Sequence, residues 1–325
     1  MSLTKTCRGW ASVSTPTLLS SIWKSTTTFK RVATECGPIG ILVSCLWLAV
    51  TAPAAENPTS AKITRDIPFA KVDSTELKLD LYLPEGKPAG LIVWVHGGAW
   101  RGGSRTGVDL KGITALGWAV ASVDYRLSTV ARFPAQIHDI KAAIRYLRAH
   151  AAEHGYPANK FIIAGSSAGG HLAALVGVTN GHKELEGDVG DDRDVSSDIQ
   201  AIVDLYGASN LTTILKQSTP HGINMRVPAL ELLLGGQPDA VPELAKLASP
   251  VFHVDANDPP LLMLHGDQDP QMPIDQSHEL EGAYEAAGRP VIFKAMHGSA
   301  HGGPAFTSES SLRLIDGFLR QQLKN

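Results

Sequence analysis

The chain has 325 residues, of which 43% are hydrophobic and 19% charged, and its formal net charge at neutral pH is −3. A chain of this length and apolar content can bury one large core, and α/β folds commonly use this length as a single domain. The composition therefore excludes a chain that is disordered over its body.

Residues 1–54 differ in composition from the rest and predict a secretory signal peptide with a long n-region. They hold five of the 29 basic residues and one of the 32 acidic ones, and they lead into the apolar run 39–50 and the triplet Ala52-Pro53-Ala54. The apolar run is too short for a comfortable membrane span. We expect cleavage near Ala54 and a secreted or periplasmic protein, with a retained N-terminal anchor as the alternative.

All three cysteines, Cys7, Cys36 and Cys45, lie in this leader. The mature chain is therefore expected to lack disulfides, a thiol nucleophile and cysteine metal sites. It would keep 24 basic and 31 acidic residues, a net charge of −7. This balance argues against nucleic acid or an anionic membrane as a partner, and it leaves the oligomeric state open.

Residues 55–325 alternate short apolar runs with helical stretches, which indicates βαβ units, parallel pairing and right-handed crossovers. We expect one α/β domain with a mostly parallel sheet of about eight strands and helices on both faces. The first two strands are expected to form an antiparallel edge pair. The predicted strands are Ile63–Phe69, Leu77–Leu83, Leu91–Val95, Trp118–Val123, Phe161–Ala164, Ile199–Leu205, Leu261–Leu264 and Val291–Ala295.

A glycine-rich loop, His96 to Gly103, follows the third predicted strand. Successive glycines can turn their N–H groups toward a substrate carbonyl, so Gly97 and Gly98 are candidate oxyanion donors, although such a loop can also simply be a turn. Trp100 is interpreted as a core or lid contact, and His96 as a structural hydrogen-bonding residue.

A helix is predicted over Pro134–Ala152, with an apolar face that packs on the sheet. Asp139 and Arg145 are expected to be solvated or to form pairs within this helix. The acidic segment Gly181–Ser197 is interpreted as a solvated loop, with a calcium site as the less favoured alternative.

The stretch Gly165-Ser166-Ser167-Ala168-Gly169 lies between an apolar strand and a helix. This Gly-x-Ser-x-Gly pattern predicts a sharp turn with small residues on both sides, which exposes the side chain of Ser167 at a helix N-terminus. Free N–H groups at that terminus, including that of Ala168, favour negative charge on a substrate oxygen. His171, one turn further on, is interpreted as a packed support.

Ser167 needs a base and a carboxylate to act as a nucleophile, and both residue types follow later strands. Asp267 and Asp269 follow the strand Leu261–Leu264; Asp269 is favoured as the orienting acid, while Asp267 is expected to bond backbone two residues on. His301 lies in a flexible glycine-rich loop and is favoured as the base over His297, which is expected to cap or pack at the strand end.

These motifs together resemble the α/β-hydrolase superfamily over about Ile63 to Leu319, and within it the secreted feruloyl-esterase-like and hormone-sensitive-lipase-like carboxylesterases. The resemblance implies a catalytic domain in which Ser167 is the nucleophile, His301 the base and Asp269 the orienting acid. Gly97, Gly98 and Ala168 would surround the oxyanion. The segments that carry it are HGGAWRGGSR (96–105), VDYRL (123–127), FPAQIHDIKAAIRYLRAH (133–150), GSSAGGHLAALVG (165–177), LLMLHGDQDPQMPIDQS (261–277) and HGG (301–303).

The implied activity is serine-dependent hydrolysis of carboxylic esters, with short-chain or carbohydrate-linked acetyl or feruloyl esters as expected substrates and no cofactor or metal. Ala99 departs from the third glycine of the hormone-sensitive-lipase-like pattern, and His-Gly-Gly-x-Trp is also the pattern of kynurenine formamidases. A formamidase, a serine peptidase and a non-catalytic binding protein of the same fold therefore stay as alternatives. A lid is expected within residues 206–248.

Overall fold

A computed structural model describes residues 61–324, and the signal peptide predicted over residues 1–54 lies outside this range. Eight strands form one sheet in the order β1-β2-β4-β3-β5-β6-β7-β8. The strands are β1 (Lys62–Val72), β2 (Thr75–Leu83), β3 (Leu91–Val95), β4 (Ala119–Val123), β5 (Phe161–Ser166), β6 (Ala201–Leu205), β7 (Leu261–Gly266) and β8 (Val291–Met296).

Strand pairing confirms the expected sheet. β1 pairs with β2, and β2 with β4, in antiparallel fashion, while every pair from β4 through β8 is parallel. Strands β3 to β7 are buried along their whole length, as continuous apolar runs covered on both faces by helices should be.

Ten α-helices connect and cover the strands within the described residues 61–324. They are α1 (Ala135–Ala149), α2 (Ala151–His154), α3 (Ala168–Gly177), α4 (Lys183–Glu186), α5 (Ile214–Gln217), α6 (Pro220–Leu234), α7 (Pro242–Leu247), α8 (Asp275–Ala286), α9 (Pro304–Thr307) and α10 (Glu309–Gln322), with 3-10 helices at Asp109–Leu116 and Pro250–Phe252. Among the helices of residues 61–324, none combines the length and hydropathy needed to cross a bilayer.

Alternate residues of the central strands enter two separate cores, because successive strand side chains point to opposite faces. Leu91 and Val93 of β3 pack in the larger core with apolar residues of α1, α3 and α6. Ile92 and Trp94 pack in the second core with residues of α10. Helices therefore cover both faces of the sheet, as predicted.

The prediction that Asp139 and Arg145 of α1 are solvated or paired within their helix is wrong. Both are buried: Asp139 accepts from Arg126 Nη2 at 2.7 Å, and Arg145 donates to Val189 O at 2.8 Å and pairs with Glu186. Glu186 belongs to the acidic segment expected to be a solvated loop; most of that segment is exposed or half-buried and non-helical, but its residues Lys183–Glu186 form α4, whose last residue pairs with α1. Helical periodicity cannot show which distant segment covers a helix.

Candidate active site

The turn between β5 and α3 exposes Ser167 in a strained backbone conformation. Ser167 has φ 56° and ψ −119°, and its N–H donates to Leu205 O at 2.9 Å. A Cβ at Gly165 would lie 2.2 Å from Gly169 O, and one at Gly169 would lie 2.1 Å from Val95 O. Only glycine fits at both positions, so the sequence pattern forces the sharp turn that carries the serine.

Ser167, His301 and Asp269 form one continuous hydrogen-bonded chain. Ser167 Oγ lies 2.8 Å from His301 Nε2, and His301 Nδ1 lies 2.6 Å from Asp269 Oδ2. The serine, acid and histidine follow the carboxyl ends of β5, β7 and β8, the edge where parallel α/β sheets collect functional side chains. The structure thus brings together the three residues that the sequence singles out.

The carboxylate of Asp269 is anchored on both oxygens. Its Oδ1 accepts from the N–H groups of Gln271 at 2.8 Å and Met272 at 2.9 Å, while His265 Nε2 lies 3.5 Å from Oδ2 beside the bond to His301. Burial raises the pKa of the Asp269 carboxyl, but the contacts with His265, His301 and Met272 outweigh it and hold that pKa well below its usual range. Asp269 therefore stays ionised across the neutral range.

The competing residues Asp267 and His297 form a second, outer pair. Asp267 Oδ2 lies 2.8 Å from His297 Nδ1, and Oδ1 accepts from Gly298 N at 2.8 Å. The expectation that the Asp267 side chain accepts a hydrogen bond from the backbone two residues further along the chain is wrong. Asp269 makes a bond of that kind instead, to the N–H of Gln271. His297 does not pack at the strand end either, because its side chain is 83% exposed. Pairing of Gly266 with Met296 places the two loops side by side, which aligns both pairs.

The glycine loop after β3 lies directly against the serine. A Cβ at Gly97 would lie 3.3 Å from Ser167 Cβ, and Gly98 has φ +115°. Within residues 61–324, the N–H groups of Gly97 and Gly98 donate to no backbone acceptor in the loop. Ala168 is the first residue of α3, so its N–H has no acceptor within the helix. The loop and the helix that adjoin Ser167 thus offer three backbone N–H groups with no backbone acceptor within them.

Trp100 and His171 form a buried support for this loop. Trp100 is fully buried, and its Nε1–H donates to His171 Nδ1 at 3.0 Å, while His171 Nε2 lies 2.6 Å from Ala248 O. Burial lowers the pKa of His171 to about 4, so its ring is neutral at pH 7. Trp100 is therefore a core contact, and His171 is the packed support that the sequence predicts. His96 stacks on Tyr125 with ring centroids 4.4 Å apart, which fits its structural interpretation.

A cavity of about 490 Å³ opens beside Ser167 and His301. Sequence reasoning missed several residues that line it, among them Tyr206, Asp109, Gln271 and Arg226. Tyr206 packs edge-on against His301 with ring centroids 4.9 Å apart. It follows β6 directly, so the rule that located the other site residues at strand ends could have found it.

The segment between β6 and β7, where a lid is expected, contains α5, α6 and α7. Of these helices, α6 contributes Met225 and Arg226 to the cavity wall. Among the described residues 61–324, no group of three His, Cys, Asp or Glu side chains is placed to hold a metal ion. The arrangement instead provides a hydroxyl, an imidazole and a carboxylate in the order that acyl transfer needs.

Comparison with known proteins identifies the family of this chain. The BD-FAE family profile matches residues 79–284, which is more than half of the chain. The chain belongs to the BD-FAE family. The expected α/β-hydrolase fold is confirmed with it, since solved structures similar to this BD-FAE chain include esterases of that fold.

Two solved structures and one curated protein illustrate the similarity. A truncated form of a carbohydrate esterase from gut microbiota is 31% identical, has a TM-score of 0.73, and is aligned over 83% of this chain and 99% of its own. An esterase from Thermogutta terrifontis with bound propionate is 27% identical, with a TM-score of 0.64 over 81% of this chain and 94% of its own. Esterase LipC of Mycobacterium tuberculosis is 34% identical over 66% of this chain and 53% of LipC. The chain spans about half the length of the curated relatives it matches.

Proposed function

We propose that this BD-FAE family chain hydrolyses carboxylic esters through an acyl-enzyme formed on Ser167. The observation that carries the proposal is the chain of contacts from Ser167 Oγ to His301 at 2.8 Å and from His301 to Asp269 at 2.6 Å. The esterase names of the similar proteins support the same activity.

The proposed reaction has two matching halves. His301 Nε2 takes the Ser167 hydroxyl proton as Oγ attacks the ester carbonyl, and the ionised Asp269 stabilises the imidazolium that forms. The N–H groups of Gly97, Gly98 and Ala168 hold the oxyanion of the tetrahedral intermediate. The C–O bond then breaks, and the alcohol leaves with the proton from His301. Water repeats the sequence and releases the acid, with no cofactor.

We propose esters of short or carbohydrate-linked acyl groups, acetyl or feruloyl, as substrates. The cavity wall supports this choice, because Asp109 and Gln271 give it charged and polar groups. The similarity to a carbohydrate esterase points in the same direction.

The decisive experiment removes the nucleophile. Ser167→Ala should lower kcat for p-nitrophenyl acetate by about 10⁴-fold and abolish labelling by a fluorophosphonate probe, with the circular dichroism spectrum unchanged. Ser166→Ala is the matched control, because the Oγ of that neighbouring serine donates to Asp109 and should still allow labelling. Retention of most activity in Ser167→Ala would overturn the proposal, and wild-type protein that never reacts with the probe would favour a binding protein.

A substrate panel separates the remaining alternatives. It includes p-nitrophenyl acetate, butyrate and octanoate, methyl ferulate, acetyl-xylan, N-formylkynurenine and a peptide amide. The Trp of the formamidase-like motif lies in the core beneath the loop, so it does not by itself select N-formylkynurenine. A kcat/KM highest for acetyl or feruloyl esters supports the proposal, and one highest for the formamide or the peptide contradicts it.

Export of the protein is a further part of the proposal. It rests on the basic n-region, the apolar run 39–50 and the Ala52-Pro53-Ala54 triplet. N-terminal sequencing of the secreted protein should begin at about residue 55 or 56. A full-length chain that stays in the membrane fraction would instead show a retained anchor.

A further inference from the structure

Arg226 of α6 is a nearly buried cation on the wall of the cavity beside Ser167. Arg226 is only 3% exposed, and it lines the cavity together with Met225, Tyr206 and Gln271. Burying a charge is unfavourable unless the charge is paired and hydrogen-bonded.

The guanidinium of Arg226 is only partly satisfied. Its Nη2 donates to Gln271 O at 2.8 Å and lies 3.6 Å from Met272 Sδ, whereas Nε is buried with no acceptor in the described part of the chain. Burial lowers its pKa to about 10, and the charge of Asp269 acts in the opposite direction, so the group stays cationic at neutral pH. Asp269 itself is committed to His301.

Other poorly exposed arginines of the chain differ from Arg226 in one respect. Arg126 pairs with Asp139 at 2.7 Å, and Arg145 pairs with Glu186. No Asp or Glu among residues 61–324 lies within 4.0 Å of the Arg226 guanidinium nitrogens. A buried cation that lacks a carboxylate and borders a ligand cavity is suited to receive one from the ligand.

We propose that Arg226 forms an anion subsite that binds a carboxylate carried by the ester substrate. This inference rests on the proposed function, because the bound ester is the one cleaved at Ser167. A planar guanidinium binds a carboxylate through two parallel hydrogen bonds, and the restricted water access of the site strengthens that contact. The substrate class is thus an ester with a free carboxylate on its acyl part, as in a dicarboxylic acid monoester, or on its alcohol part, as in an ester of a hydroxy acid.

Matched acid and amide substrates test this proposal on the full chain. For the acyl side we compare monoethyl succinate with ethyl succinamate, and for the alcohol side acetoxyacetate with acetoxyacetamide. We expect the wild type to prefer the carboxylate in one pair, and Arg226→Met to lower that acid-to-amide ratio of kcat/KM by roughly tenfold or more. The pair that responds identifies the part of the substrate that carries the carboxylate.

Arg101→Met is the control, because Arg101 lines the same cavity but is more exposed. It should change the ratio by less than about threefold, as expected for a solvent-screened charge. If Arg226→Met lowered kcat/KM equally for the acid and the amide, Arg226 would have only a structural role. If the two arginine variants changed the acid-to-amide ratio equally, the effect would come from the general electrostatic field of the cavity. Either result overturns the subsite. Hydrolysis of the neutral esters with no carboxylate preference would leave the proposed function intact, whereas no hydrolysis of any ester would refute both.

A measurement on the wild type covers the case in which Arg226→Met fails to fold. Succinate should inhibit p-nitrophenyl acetate hydrolysis competitively, and at least tenfold more tightly than succinamide does. Equal inhibition by the two compounds would overturn the subsite.

Discussion

Two carboxylate–imidazole pairs lie next to each other at the same edge of the sheet, and they differ in burial. Asp269–His301 and Asp267–His297 join at 2.6 and 2.8 Å, from the same two loops. The side chains of the first pair are 1% and 12% exposed, and those of the second 30% and 83%. Only the first pair contacts a serine. The comparison shows that a short Asp–His distance does not define a site; burial and a hydroxyl in line with the imidazole do.

Replacement of the two histidines is the strongest way to break this comparison. We expect His301→Ala to lower kcat for p-nitrophenyl acetate by about 10⁴-fold, because Ser167 loses its base. His297→Ala should stay within about threefold of the wild type, since a contact between exposed side chains contributes little. Similar losses in the two variants would show that the outer pair takes part in the reaction.

Replacement of the two acids gives the next largest effect. Asp269→Asn should lower kcat by about 10³- to 10⁴-fold, because the amide can no longer stabilise the imidazolium or fix its tautomer. Asp267→Asn should cost less than about threefold in kcat. Steady-state rates with both variants check this, and a fully active Asp269→Asn would remove the carboxylate from the mechanism.

His171 gives a second test of what burial does to an imidazole, because its ring is buried and contacts no carboxylate of residues 61–324. Burial lowers its pKa to about 4 in the folded protein, against about 6.5 in an unfolded chain. Between these values the unfolded state binds more protons, so the free energy of unfolding should fall by about 1.4 kcal/mol per unit as the pH drops from 6.5 toward 4.

Urea unfolding at pH 7, 6, 5 and 4.5 measures this dependence. His171→Asn should be less stable at every pH and should also lose part of the slope. His221→Asn, at an exposed position of α6, should keep the wild-type slope. An unchanged slope in His171→Asn would contradict the assignment.

The support behind Asp269 gives the smallest expected effect on the reaction. Ser277 Oγ lies 2.8 Å from His265 Nδ1, and the other ring nitrogen of His265 contacts Met272 O and Asp269. Ser277→Ala should lower kcat by roughly three- to tenfold, because the His265 ring loses one of the contacts that hold it against Asp269. Ser311→Ala, which removes a buried hydroxyl from α10 that donates to Ala305 O, should lower stability without lowering kcat. Equal kcat values in the two variants would show that the support does not reach the reaction.

The sequence predicts those parts of the fold and site that local patterns encode. Apolar runs predict the eight strands, and the two glycines around Ser167 predict the turn, because close backbone approach excludes a Cβ there. The rule that functional groups follow parallel strands predicts Asp269 and His301. Boundaries shift by a few residues, as at β6, which begins at Ala201 rather than Ile199.

Contacts between distant segments are what the sequence does not reveal. Arg145 pairs with Glu186, which belongs to an acidic segment that the sequence predicts to be solvated. Asp267 contacts His297, 30 residues further along the chain. Arg226 lies in a helix whose composition carries no functional pattern, so only the folded cavity indicates its place. These residues depend on which segment covers which surface, and no local periodicity encodes that choice.

The contact of Trp100 with His171, and of His171 with Ala248 O, joins three separate parts of the chain. The loop of backbone donors, the helix that begins after the serine and the end of the segment leading into β7 are tied together by one neutral ring. We expect a displacement of any one of them to disturb the other two through these two hydrogen bonds. We therefore expect the cavity to change more easily through side chains that face it from α6 than through movement of the frame that holds Ser167 and the backbone donors.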